Sequence, residues 1–180
     1  MAKEKFDIIQ STCIPIEIDN NNTDNIIPAR YLAFTTRDPK FYGEAFMHDL
    51  RYDANNKPVA DFVMNKPEFS EPPRKGVHEI IVGGQNWGSG SSREHAAICP
   101  MYLGIKAVLA ISIERIHAAN LVNFGILPLY FQNRQDYEAI KQGDKITIAG
   151  LRAQLKAGDD VHAFVGGREI VLKGGLLAGE

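Results

Sequence analysis

Three apolar, strand-length runs alternate with helical patterns in the second half of the chain, and this alternation limits the fold more than any other feature. The runs are His78–Gly84, Ile105–Ile111 and Ile126–Phe131. Between them lie Arg93–Leu103, shortened or kinked by Pro100 and ended by Gly104, and Ile113–Phe124, with Gly125 as its C′ residue. Strand–helix–strand–helix–strand order implies right-handed crossovers and parallel pairing. Downstream, Asp136–Lys141 reads as a short helix, and Lys145–Ala149, Val161–Val165 and Glu169–Leu172 as strands. Gly166-Gly167 joins the last two as a hairpin, which adds antiparallel strands. The expected class is α/β: a mixed, mainly parallel sheet with flanking helices.

The first half is less regular. Phe6–Ile18 alternates loosely and predicts a strand broken near Pro15. Residues 19–25 (Asp-Asn-Asn-Asn-Thr-Asp-Asn) form a polar cluster suited to Asx turns and a helix cap. Ile26–Leu32 starts a short element, with Pro28 acceptable in a first helical turn, and Phe41–Leu50 predicts a short helix. Asn65–Gly76 carries Pro67, Pro72 and Pro73 and reads as an exposed loop too short to separate domains. The 180 residues, 44% of them hydrophobic, are therefore expected to form one domain over 1–180.

The chemistry concentrates in residues 86–96, Asn-Trp-Gly-Ser-Gly-Ser-Ser-Arg-Glu-His-Ala, at the junction of a strand and a helix. Glycines there let the backbone curl, and a helix start offers free N–H groups to an anion. Ser89, Ser91, Ser92 and Arg93 add hydroxyls and a guanidinium. The run reads as an oxyanion-binding loop with a candidate nucleophile or base. A plainer reading stands beside it: Ser91, with Glu94 three residues on, makes a capping box.

Composition excludes several classes. A net charge of -2 does not suggest a nucleic-acid binder, and no apolar run is long enough to span a bilayer. The start, Met1-Ala2-Lys3-Glu4-Lys5-Phe6, lacks the apolar core of a signal peptide, which makes cytoplasm the expected compartment. Cys13 and Cys99 make no disulfide framework and are too few to hold an iron–sulfur cluster. His95 and Cys99 share a helix face at metal-ligand spacing without a third ligand nearby; a buried histidine and thiol are expected, and no metal. His117 and Asn120 fall on the apolar stripe of Ile113, Ile116, Leu121 and Phe124, where a hydrogen-bonded core pair is expected. Asp159-Asp160 reads as a solvated turn.

The run 86–96 resembles the signature of the aconitase swivel domain, as do Leu103–Val108, Arg115-Ile116-His117 and Asn123–Leu129. Residues 23–32, Arg51-Tyr52-Asp53 and Ala60–Pro67 resemble one branch of that family, the small subunit of 3-isopropylmalate dehydratase. The resemblance runs from about residue 6 to the tail Lys173–Leu177. It implies a β/β/α swivel domain and a hydro-lyase that interconverts 2-isopropylmalate and 3-isopropylmalate in leucine biosynthesis. It also implies a separate large subunit as partner, carrying a 4Fe-4S cluster whose iron acts as Lewis acid on the departing hydroxyl, so that this chain holds no cofactor.

By the same resemblance Ser91 is the base, an alkoxide held by loop amides and Arg93. Ser92 donates to the substrate, Arg93 grips a substrate carboxylate, and Thr23 and Asp24 border the site. Tyr31-Leu32-Ala33-Phe34 matches the place where substrates are discriminated; Ala33 and Phe34 are apolar and suit an alkyl group, while Arg37 and Lys40 lie close enough in sequence to reach back. Ser89 and Trp87 stand where isopropylmalate enzymes often carry Cys and Phe, and His95–Leu129 looks closer to aconitase-like and homoaconitase-like members. Other branched or methylated malates, and a carboxylate-binding module without catalysis, remain alternatives.

Overall fold

Two kinds of strand explain the architecture. In β1 (Ile9–Ile16), β2 (Ile80–Gly83), β3 (Ala107–Ala110) and β4 (Leu127–Phe131) both faces are largely buried. Such strands read as near-continuous apolar runs. In β6 (Asp160–Val165) buried and exposed residues alternate strictly, as expected of a strand with one face in water. β5 (Lys145–Ile148) and β7 (Arg168–Gly174) complete the set. The computed structural model describes residues 6–70, 78–158 and 160–174.

The seven strands close into a barrel in the order β1-β2-β3-β4-β7-β6-β5. β1–β2, β2–β3 and β3–β4 pair in parallel, whereas β4–β7, β7–β6, β6–β5 and β5–β1 are antiparallel. The expectation of a mixed, mainly parallel sheet holds for the mixture and is corrected for the balance: the sheet closes on itself, and four of its seven pairings are antiparallel. Local periodicity reveals the parallel crossovers, but ring closure depends on the distant register Ile9↔Ile148 and Leu129↔Gly174. Closure leaves none of these seven strands with an unpaired edge.

Side-chain alternation divides the core in two. Ile9, Cys13, Ile80, Val82, Ala107, Leu109, Leu129, Ile146, Val161 and Leu172 fill the barrel. Ile14, Ile16, Ile81, Val108 and Ala110, one residue out of phase, pack against the helical layer. Pro15 does not break β1. The Cys13 N–H donates to Asp144 O on the β5 side, and Pro15, two residues on, points the same way beyond the end of β5, where no donor is required.

The helical layer contains α1 (Thr23–Ile26), α2 (Pro39–Ala45), α3 (His48–Arg51), α4 (Pro67–Ser70), α5 (His95–Tyr102) and α6 (Arg115–Asn123). α7 (Arg134–Ala139) and α8 (Leu151–Ala157) follow β4 and β5. α5 and α6 end alike. Ile105 N–H donates to Pro100 O and Gly104 N–H to Met101 O; Ile126 N–H donates to Leu121 O and Gly125 N–H to Val122 O. These are Schellman motifs, and each delivers the chain directly into the next parallel strand.

The single helix expected over 41–50 is divided. Met47 adopts φ 55, is fully buried, and donates its N–H to Ile26 O, which separates α2 from α3. The exposed loop expected over 65–76 is corrected in its first part, because α4 buries Phe69; residues 71–76 lie outside the described residues. Arg51 ties this layer together from a buried position, donating to the carbonyls of Gly43 (2.6 Å) and Phe46 (3.2 Å) and to Asn65 Oδ1 (3.3 Å).

Candidate functional site

The serine loop leaves the C-terminal end of β2, where ligands gather in parallel α/β arrangements. Two neighbouring segments strap it down through backbone bonds. On one side Gly88 N–H donates to Asn21 O (2.8 Å) and Thr23 N–H to Ser89 O (2.9 Å). On the other, Trp87 N–H donates to Ser112 O (2.9 Å) and Glu114 N–H to Trp87 O (2.8 Å). Trp87 is almost fully buried, and its ring lies over Gly83, where an added Cβ would fall 2.4 Å from Cε3. Gly88 (φ 76) rests on His117, whose Cγ and Cδ2 would lie 2.2 Å from an added Cβ.

Four of the five expected catalytic and substrate-binding residues are directly linked. Thr23 donates its hydroxyl to Ser91 O (2.8 Å), and Arg93 is ion-paired with Asp24. Ser92 follows in the same turn. The polar cluster at 19–25 acts as expected: Asn22 Oδ1 accepts from Asn25 N–H (2.8 Å), capping α1 and presenting Thr23 and Asp24 to the loop. Asp24 takes one Nη of Arg93 and leaves further guanidinium donors for a carboxylate. The Asp24 side chain is 54% exposed, so the pair orients Arg93 and adds only about 0–1 kcal/mol to stability.

The capping-box reading is corrected. Glu94 occupies the N-cap of α5 in helical geometry, and among the described residues no side chain caps that end. The helix starts on Ala96 N–H to Arg93 O and Ala97 N–H to Glu94 O. Ser91 and Ser92 are exposed, and among the described residues neither hydroxyl has a hydrogen-bond partner. The Gly90, Ser91 and Ser92 amides donate to no other group among the described residues. Free hydroxyls, free amides and a half-sequestered guanidinium on one turn form an anion-receiving surface.

Tyr31–Phe34 belongs to the helical layer, where Tyr31 and Leu32 pack against its core. A 3-10 turn at Ala29–Tyr31 follows Pro28, which precedes the turn rather than entering it. Tyr31 packs edge-on against Phe41, and Phe34, 56% exposed, leans on the same ring. Leu32 is half-buried and Ala33 exposed. Among the described residues, no hydrogen bond, ion pair or ring contact links this turn, Arg37 or the Lys40 side chain to the Ser91–Arg93 turn.

The other expected pairs resolve as follows. Cys99 is buried, its thiol donating to Tyr42 O (3.3 Å), while His95 is only half-buried. Cys13 faces the barrel interior, and burial pushes its thiol up to about 12; Cys99 is raised by the same cause. These two inert thiols sit in different core regions, and among the described residues no three His, Cys, Asp or Glu side chains gather as a metal requires. Two cysteines held apart in this way do not supply the thiolates of an iron–sulfur cluster. Asp160 begins β6 and accepts from Gln132 (2.6 Å), which corrects its assignment to a turn; Asp159 lies outside the described residues.

His117 is buried as expected, but the hydrogen-bonded pair with Asn120 does not form. Neither ring nitrogen has a partner among the described residues. Burial lowers the imidazole from 6.5 to about 4, with nearby Glu114 opposing, so the ring is neutral near pH 7. Asn21, fully buried, has an equally unpartnered side-chain amide. Its position was not legible in the sequence, since nothing distinguishes it from Asn20 or Asn22 until the loop docks. Among the described residues, no helix is long and apolar enough to cross a membrane.

Comparison with known proteins gives this geometry a context. Residues 3–134 match the aconitase C-terminal domain family. The 3-isopropylmalate dehydratase small subunit of Azobacteroides pseudotrichonymphae is 37% identical over 148 residues, covering 81% of this chain and 71% of that protein. The subunit of the same name from Cytophaga hutchinsonii is 42% identical over 126 residues; the match spans 70% of this chain but only 58% of that relative. A crystal structure of 3-isopropylmalate dehydratase from Methanocaldococcus jannaschii superposes with a TM-score of 0.66 at 29% identity, covering 93% of this chain and 82% of that one. The chain belongs to the aconitase C-terminal domain family, in its branch of 3-isopropylmalate dehydratase small subunits, parts of a hydro-lyase of leucine biosynthesis.

Proposed function

We propose that residues 1–180 act as one swivel domain, the cytoplasmic small subunit of a hydro-lyase that interconverts 2- and 3-isopropylmalate, with Ser91 as the base. The observation that carries this reading is the Ser91–Arg93 turn. It holds an exposed, unpartnered hydroxyl beside free amides, and a guanidinium already oriented by Asp24.

The difficult step is removal of a proton from a carbon next to a carboxylate. A serine hydroxyl is too basic to ionise in water near neutrality, so its alkoxide needs donors already in place. The Gly90–Ser92 amides and the Arg93 cation supply that field. Thr23 fixes the Ser91 carbonyl and with it the direction of the turn. Arg93 takes a substrate carboxylate with the donors that Asp24 leaves free, and Ser92 adds a hydroxyl donor. The 4Fe-4S cluster falls to a large subunit, since two cysteines are too few to hold it. Phe34 and Ala33 offer exposed apolar surface, which suits an isopropyl group better than a third carboxylate.

The test is Ser91→Ala in the enzyme co-expressed with its cognate large subunit. Turnover of 3-isopropylmalate should fall by about 10²–10⁴-fold, the range of a general base, with assembly intact. Near-normal turnover in an assembled complex would remove Ser91 from the role.

A further inference from the structure

Among the described residues, the fully buried side-chain nitrogens and oxygens without a partner belong to two residues, Asn21 and His117. Both meet the same glycine. Asn21 accepts the Gly88 N–H through its backbone carbonyl (2.8 Å), and the Cγ–Cδ2 edge of His117 lies directly under the Gly88 α-carbon. An apolar side chain at 117 would suit the stripe formed by Ile113 and Leu121 and would avoid desolvating two ring nitrogens. A side chain that is costly for the fold and seated beneath the loop that carries the chemistry is placed for the sake of the loop.

We propose that His117 is a positioning residue for the dehydratase reaction, acting through Gly88 to fix the height at which Ser91–Arg93 stand above the sheet. The ring is flat and held by α6, and α6 is tied to the loop by the Glu114 N–H to Trp87 O bond. Ring and strap together leave Gly88 one depth to occupy. Three residues on, Ser91 inherits that depth through a turn pinned at its carbonyl by Thr23. The missing Cβ of Gly88 belongs to this fit, because an added one would fall 2.2 Å from the ring.

This inference rests on the assignment of Ser91, and its test separates the two. In the co-expressed enzyme with 3-isopropylmalate, His117→Ala should lower kcat about tenfold or more while KM stays within about twofold, because the substrate-binding groups remain and only their placement loosens. Gly88→Ala should be worse, about 10²-fold in kcat, and the double variant should recover several-fold over Gly88→Ala alone, since deleting the ring makes room. Hydrogen exchange of the 86–93 amides should quicken in His117→Ala. Independent, multiplying losses, or wild-type kcat and exchange in His117→Ala, overturn the proposal. If His117→Ala does not assemble, His117→Gln with and without Gly88→Ala gives the same comparison, because a flexible amide steps aside where a ring cannot. A Ser91→Ala enzyme that keeps its turnover while the 88–117 coupling holds would refute the base assignment and leave the support role standing.

Discussion

Acid should unfold this chain partly through one histidine. In the unfolded state His117 titrates near 6.5; in the fold, burial holds it near 4. A depressed folded value means that the unfolded chain binds the proton first as pH falls. The stability is therefore complete above about pH 6.5, declines as pH drops toward 4, and is flat below. Each unit of that window is worth about 1.4 kcal/mol, so the whole window removes about 3 kcal/mol. Against the roughly 5–15 kcal/mol of a typical domain this is a large share.

The measurement is urea unfolding of the wild type and His117→Gln between pH 7.5 and 4. Carboxylates titrate in the same range, but they do so in both proteins, and the difference between the two curves isolates His117. That difference should change by about 2–3 kcal/mol in favour of the variant as pH falls, with the urea slope unchanged. An NMR titration of the His117 ring should independently give a midpoint near 4. Parallel stability curves, or a ring midpoint near 6.5, would show that water reaches the imidazole, and that it does not seal the underside of Gly88.

Three further outcomes follow from the site and its support. Arg93→Lys should raise KM about tenfold and also lower kcat, because a point charge cannot present a fork to a carboxylate while still paired with Asp24; steady-state kinetics on the assembled enzyme would show it. Asp24→Asn should raise KM by less, about two- to fivefold, and shift stability by under about 1 kcal/mol, since the pair orients rather than stabilises; a lower KM would mean that Asp24 competes with the substrate. Arg51→Met should cost about 3–5 kcal/mol in chemical denaturation, because the carbonyls of Gly43 and Phe46 and the Asn65 amide oxygen all lose their donor inside the helical layer.

What the sequence made legible was local, and the site's support is not. The parallel crossovers showed because β2, β3 and β4 are apolar on both faces and the intervening helices end at Gly104 and Gly125. The hairpin at Gly166-Gly167 showed for a similarly local reason. Closure of the barrel did not, because the Ile9↔Ile148 register joins residues at opposite ends of the chain and leaves no periodic trace. α8 is rich in helix formers, but its seven residues between Gly150 and Gly158 are too few for a helical period to show in the sequence. The serine loop was legible as an oxyanion turn because glycines, hydroxyls and a guanidinium fall within eleven residues. The partners that orient it come from residues 21–24 and 112–117, and only folding makes them neighbours. This explains how the same local reading could offer Ser91 as either helix cap or base. Sequence proximity to Glu94 favours the cap; the strap from Thr23 holds the Ser91 carbonyl while leaving the hydroxyl free, and a hydroxyl left free at an anion-receiving turn is available to chemistry rather than committed to structure.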